Sequence, residues 1–180
     1  MKTYSVQIKF VTDYLQARFT EDAKAELENY ISRGIVKSKN DSWFTLLHRD
    51  DNGIFIPNIQ LKNCLKNAGK EFKVKKKRSN MRQWVTSFLT VEPQEIYLKK
   101  EQPDKVLTSY PLRKDGTRVT IKHPCFLKGT VVGFLINSLD DEMEEKAIKN
   151  LVIMAGKMYG IGARRADTFG RFEVIKFQAE

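Results

Sequence analysis

Two cysteines and two histidines are all that the 180-residue chain contains of these types. Cys64 and Cys125 are too few for a disulfide framework, and neither lies in a CxxC or Cys/His spacing that would hold zinc. Both sit among apolar residues and are expected to be small buried hydrophobes, reduced and inert. Long apolar runs are missing too. Nothing approaches the roughly 18 consecutive apolar residues of a membrane-spanning helix. The N-terminus, Met1 to Val6, enters a strand-like alternation and lacks the apolar core of a signal peptide. A cytoplasmic protein with no membrane partner is expected. No GxxxxGKS/T loop occurs, so nothing supports ATP or GTP use, and no cofactor or metal is expected. There is no internal repeat, and no low-complexity tract beyond one run of lysines.

Positive charge, by contrast, is plentiful. Thirty-two Lys and Arg against 22 Asp and Glu leave a formal net charge of +10. A polyanionic partner is the usual reason for such an excess, although a solvated basic surface is the bland alternative. The distribution favours the former. Lys70, Lys73, Lys75, Lys76, Lys77, Arg78 and Arg82 face a single acid, Glu71, across thirteen residues. The run reads as a nucleic-acid footprint or as a solvated loop. Trp84, just beyond it, reads either as a core anchor or as a stacking platform for a base.

Periodicity gives the organisation. Tyr4, Val6, Ile8 and Phe10 alternate with polar residues as a half-buried strand. Thr20, followed by Glu21 and Asp22, predicts the cap and first turn of a helix ending near Gly34. Strands are expected over Trp43 to His48 and Ile54 to Ile56, joined by the turn at Asp50-Asp51-Asn52-Gly53. Leu61, Cys64, Leu65 and Ala68 predict a short helix ending at Gly69. The stretch of about 70–126 reads as a basic, β-rich insertion with strands at Val85 to Val91, Glu95 to Lys99 and Arg118 to Lys122. Thr130 to Ile136 is a further strand. Asp141 and Glu144 have capping-box spacing ahead of a helix whose expected apolar face is Met143, Ala147, Leu151, Met154, Ala155 and Met158. A last strand covers Arg171 to Phe177. This order predicts an α+β fold: a ferredoxin-like, RRM-like antiparallel sheet with helices on one face, forming a single domain over 1–180 with the insertion inside it.

Two segments carry chemistry. In the first, Gly160, Gly162 and Gly170 share a helix-to-strand connection with Arg164, Arg165 and Arg171. The glycines permit positive φ and a concavity of exposed N–H groups, and the arginines offer forked donors to phosphate oxygens. Rossmann glycines lie between a strand and a following helix, the reverse of this order. In the second, Ile56-Pro57 opens a helix that carries Lys62 and Lys66 four residues apart.

These segments resemble a known family. The run Gly160 to Val174, GIGARRADTFGRFEV, is similar to the glycine-rich loop of the RAMP superfamily, the ferredoxin-like proteins that supply backbone and processing subunits of CRISPR systems. The run Ile56 to Lys66, IPNIQLKNCLK, resembles the segment that opens a helix in CRISPR backbone subunits covering the guide RNA. Together they span about 26 of the 180 residues. Asn58, Asn63 and Thr168 stand where glycine is usual, which marks a divergent or solitary member.

The resemblance implies RNA, single-stranded or guide-like, as partner, with other CRISPR-type subunits or further copies of the chain along it. It implies a helix after Ile56-Pro57 that helps hold the RNA backbone, and an insertion projecting as a thumb. The RNA-contacting set would be Lys62, Lys66, Lys70, Lys73, Lys75, Lys76, Lys77, Arg78, Arg82, Gly160, Gly162, Arg164, Arg165, Gly170 and Arg171. Three functions stay open: a non-catalytic RNA-binding protein, a metal-independent endoribonuclease, or a protein-binding mimic or cap of the same fold from a mobile element. For cleavage the candidate is His48 as general acid or base, with a surface histidine as the bland reading; His123, before Pro124, reads as surface. Asp13, Asp50 and Asp51 are possible counterparts of the aspartate that some backbone subunits use for metal-dependent cutting.

Overall fold

Alternation along β1 (Lys2–Phe10) places Tyr4, Val6, Ile8 and Phe10 on one buried face, with Ser5, Gln7 and Lys9 opposite. The computed structural model describes residues 1–18, 20–35, 43–72, 81–112 and 115–180. In it β1 is a central strand, antiparallel to both β9 (Val131–Ser138) and β10 (Phe172–Ala179). β9 also pairs antiparallel with β5 (Leu89–Glu92), giving the order β10-β1-β9-β5. Two helices complete the motif: α2 (Asn58–Ala68) lies between β1 and β5 in the chain, and α4 (Glu145–Met154) between β9 and β10. This β-α-β-β-α-β order with that strand arrangement is the ferredoxin-like fold. Leu61 and Leu65 of α2 and Ile148, Leu151 and Val152 of α4 share one buried cluster with the apolar face of β1.

Additions surround this core. Between β1 and α2 come β2 (Tyr14–Leu15), α1 (Glu21–Ser32), β3 (Arg49–Asp50) and β4 (Gly53–Pro57). Between α2 and β5 lies α3 (Met81–Phe88), and after β5 come β6 (Glu95–Tyr97), β7 (Lys105–Ser109) and β8 (Ile121–Phe126). They form two small sheets, β2-β8-β7 and β3-β4-β6. α1 starts as expected: the Thr20 hydroxyl oxygen accepts from the Ala23 amide at 3.1 Å.

Several expectations need correction. Trp43–Leu46 is a 3₁₀ turn, not a strand. The strand expected from Val85 begins only at Leu89, because Met81, Trp84 and Val85 bury one face of α3 at helical spacing. Among the described residues of the stretch read as an insertion at 70–126, β5 is an edge strand of the four-stranded sheet, α3 precedes it, and β6 to β8 belong to the two smaller sheets. Arg118 makes an isolated bridge with Leu112, and the following strand starts at Ile121. α4 begins after Glu144, which makes no side-chain cap bond. Asp141 instead takes the terminal ammonium of Met1 at 2.8 Å. The buried face of α4 runs through Ile148, Leu151 and Val152, while Met158 stays exposed. Cys64 and Cys125 are buried as expected, and burial pushes their thiols up to about 12 and about 11. No helix among the described residues is long and apolar enough to cross a membrane.

Candidate nucleic-acid interface

After α4 the chain winds through one π-helical stretch, Ala155–Tyr159, and turns at Gly160 into the loop that leads to β10. Gly160, Gly162 and Gly170 all have positive φ, at 65°, 85° and 71°. The loop doubles back on itself and on β2. Ile161 N–H donates to the Gly170 carbonyl at 3.0 Å, Ala163 N–H to Leu15 at 2.9 Å, and Gly170 N–H to Asp13 at 2.9 Å. A Cβ on Gly162 would lie 2.4 Å from the Leu15 carbonyl oxygen, so backbone occupies the space a side chain needs. The expected concavity of exposed N–H groups is not formed by these three amides, which donate inside the protein. The glycines serve close packing, with Gly160 and Gly170 buried beneath the loop. What the loop presents outward is its arginines.

Arg164 and Thr168, both left-handed, flank the 3₁₀ turn Arg165–Asp167. Arg164 Nε pairs with Asp167 Oδ2 at 2.8 Å. Arg171 folds back under the turn, its Nη2 donating to the Arg165 carbonyl at 3.4 Å. Its Nη1 is buried with no hydrogen-bond partner among the described residues. A buried guanidinium nitrogen without an acceptor is costly, about 1–3 kcal/mol or more for a charged group.

These arginines form one wall of a cleft of about 1090 Å³. The second wall is the polar face of α2, with Lys66, followed by Lys70 and by Arg82 of α3. The third comes from Ser109, Pro111, Ile121 and His123, on and between β7 and β8. Six described lining residues are cations: Lys66, Lys70, Arg82, Arg164, Arg165 and Arg171; none is a carboxylate. The two segments singled out in the sequence thus meet across one cavity. Gly162 lines it as well, whereas Lys62, Gly160 and Gly170 do not. Lys73, Lys75, Lys76, Lys77 and Arg78 lie outside the described residues. The residues that flank them, Phe72 and Met81, are joined by an amide-to-carbonyl bond of 3.0 Å beside the cleft residues Lys70 and Arg82.

His48 is half-buried and does not line the cleft. Burial, and then the nearby Arg18, pull its pKa down to about 4. Its Nε2 lies 3.4 Å from Gln60 Nε2. An imidazole of that pKa is neutral at pH 7, the form that accepts a proton and not the imidazolium that would donate one as a general acid. His123, read as a surface residue, is buried instead and reaches the cleft; Nδ1 is 3.4 Å from the Gln16 carbonyl oxygen. Burial lowers its pKa; the Gln16 carbonyl opposes this, and the Arg164 charge adds to it.

Trp84 is a core anchor. It is buried, and its indole N–H donates to Asp140 Oδ2 at 2.8 Å. The carboxylate of Asp13 accepts from Lys105 Nζ at 2.7 Å and from the Lys128 amide at 2.9 Å. Burial alone would raise its pKa, but these donors bring it below the usual value. Asp50 caps its turn through the Asn52 and Gly53 amides and accepts the Tyr97 hydroxyl at 2.7 Å, the main cause of its lowered pKa. Asp13 and Asp50 are thus held in the framework. Among the described residues, no three His, Cys, Asp or Glu side chains gather as a metal site.

Gln60, Asn63 and Asn67 on α2 also line the cleft, as do Ser109 and His123, and all were missed from sequence. The amides had a readable signal, their recurrence with Lys66 on one helical face. Ser109 and His123 had none, since only the pairing of β7 with β8 and of β8 with β2 brings them there.

No family model matches the sequence, and no curated protein matches it. Among solved structures, the chain is similar to a chain in the cryo-EM structure of the type III-B Cmr-beta complex bound to cognate target RNA. That likeness covers 99% of this chain and 60% of the other, at 16% identity and a TM-score of 0.62. A chain of a type IV-B CRISPR complex is similar over 98% of this chain and 90% of its own, at 12% identity and a TM-score of 0.52. The chain spans about three-fifths of the length of the Cmr-beta chain. At these identities what it shares with components of both CRISPR complexes is the ferredoxin-like fold.

Proposed function

We propose that this chain is a non-catalytic, RNA-binding CRISPR-associated protein of the RAMP kind, related to the subunits that cover guide RNA. The observation that carries this reading is the cleft whose described lining holds six cations and no carboxylate: Lys66 of the Ile56–Lys66 segment, Lys70 just after it, Arg82 of α3, and three arginines of the Gly160–Val174 loop. Cations on two facing walls suit a ribose-phosphate backbone, whose charges repeat along the strand. The fold likeness to chains of two CRISPR complexes, one of them bound to target RNA, supports the same reading. RNA is the partner, with other CRISPR-type subunits or further copies of the chain beside it.

Binding of this kind is strongly salt dependent. For single strands the logarithm of affinity falls with the logarithm of salt at about −0.7 per phosphate contact, so six contacts give a slope of about −4. Fluorescence anisotropy with a labelled single-stranded RNA across a salt series tests this. Absence of binding at low salt, or a slope near zero, overturns the reading.

A further inference from the structure

Unpaired nucleic acid is held where an aromatic ring stands among cations, because a base stacks on the ring while the cations take the phosphates. Trp84 lies in the core and is closed to such a role. Tyr159 is open to it. Apart from His123, which is only 4% exposed, it is the one aromatic side chain among the described residues that line the six-cation cleft.

A change of helical winding puts it there. The buried stripe of α4 runs through Ile148, Leu151 and Val152 and continues to Ala155. In an unbroken α-helix Met158 and Tyr159, three and four residues further on, would extend that stripe into the core. Instead the Gly160 amide donates to the Ala155 carbonyl, five residues back, at 2.9 Å in a π-wide turn. Met158 is 46% exposed, Tyr159 is half-buried against the core, and both line the cleft. An apolar stripe that is buried along α4 thus ends facing the cations.

The ring is also held at its far end. The Tyr159 hydroxyl donates to Glu71 Oε1 at 2.9 Å. Glu71 is the one acid in the basic run from Lys70 to Arg82, and it does not line the cleft. Its carboxylate, by accepting this bond, raises the pKa of the phenol, so the hydroxyl stays protonated and the tether persists at neutral pH. A ring fixed in advance loses little freedom when a ligand packs on it.

Resting on the RNA-binding reading, we infer that Tyr159 is the platform on which an unpaired base of the RNA stacks, whichever base it is. Every base has a π-face, so this contact is tolerant of sequence. It selects unpaired RNA, because the bases of a duplex are already stacked on one another.

The test is a double-mutant cycle between ring and base, read by fluorescence anisotropy with the full chain. One ligand is an end-labelled single-stranded RNA of mixed sequence; the other is a labelled abasic ribose-phosphate oligomer of the same length. The parent protein should bind the base-bearing strand at least about fivefold more tightly, the low end for one stacked base. Tyr159→Ala should remove that difference: the base-bearing strand weakens to the level of the abasic one, whose affinity and salt slope do not change. Tyr159→Phe keeps the ring without the Glu71 tether and should stay within about twofold of the parent. A thermal melt shows whether Tyr159→Ala is folded; if it is not, Tyr159→Leu, which keeps apolar bulk without a π-face, takes its place with the same expectation. Equal binding of both ligands by the parent overturns the platform and leaves RNA binding standing. So does a variant that keeps the preference for bases, or one that weakens both ligands alike, which would make Tyr159 only a brace between the cleft walls. No binding of either ligand at low salt overturns both readings.

Discussion

A Cβ on Gly170 would sit 1.8 Å from the carbonyl oxygen of Ile161, the residue whose amide donates to the Gly170 carbonyl at 3.0 Å. This pair closes the base of the arginine-bearing loop. Positive φ at Gly170, 71°, compounds the steric conflict. Gly170→Ala should therefore cost at least about 2 kcal/mol of stability, from strain and from the clash together. Urea denaturation measures it, and an unchanged midpoint would show that the loop base is slack.

The arginines above that base carry charge without holding the core. Arg164 and Arg165 are exposed, and Arg164 makes only a surface ion pair with Asp167. Reversing both to glutamate should weaken RNA binding by at least about tenfold and flatten the salt slope by roughly two phosphate contacts, with little change in melting temperature. Charge reversal from Lys75 to Arg78 should weaken unrelated single-stranded RNAs by similar factors. A strong dependence of either effect on RNA sequence would contradict backbone recognition.

His48 makes stability pH dependent. Its folded pKa, pulled down to about 4, lies below the usual value of 6.5. The fold favours the neutral ring, so this contribution is complete above about pH 6.5 and is lost as pH falls towards 4. His123 is lowered too and acts in the same direction. Urea midpoints at pH 7, 5.5 and 4.5 should decline, and His48→Gln should decline less. RNA binding between pH 6.5 and 8 should not follow the His48 charge. If His48 instead acted in cleavage, a hairpin RNA would be cut in EDTA by the parent protein and spared by His48→Ala.

Trp84 supports the fold and not the ligand. Trp84→Phe removes the indole bond to Asp140 and part of the buried ring, at a cost of about 1–2 kcal/mol. RNA affinity of the folded variant should stay within about twofold of the parent. A larger loss at unchanged salt slope would return Trp84 to the role of a stacking platform.

The chain's local patterns determined its elements and its chemistry. Period-two alternation at Tyr4 to Phe10 marks β1, Thr20 marks the start of α1, and the spacing of Leu61, Cys64, Leu65 and Ala68 marks α2. The excess of cations, and their place near Gly69 and after Gly160, are properties of composition and order. Each rests on neighbours within a few residues, where side-chain spacing alone decides which face is buried.

Tertiary structure decided the rest. Whether Val85 belonged to a helix or a strand depended on the core that α3 meets, and the apolar run there suits both. The glycine pattern suits an anion cradle, but in the fold the amides of Ile161, Ala163 and Gly170 donate to the carbonyls of Gly170, Leu15 and Asp13. His123 became a cleft residue only because β8 pairs with β7 on one side and β2 on the other. Above all, Lys66 and Arg171 are about a hundred residues apart in the chain, and they share a cleft because α2 and the last loop pack beside one sheet. Charge and glycine are local properties; a cavity whose described lining has six cations and no carboxylate belongs to the folded chain.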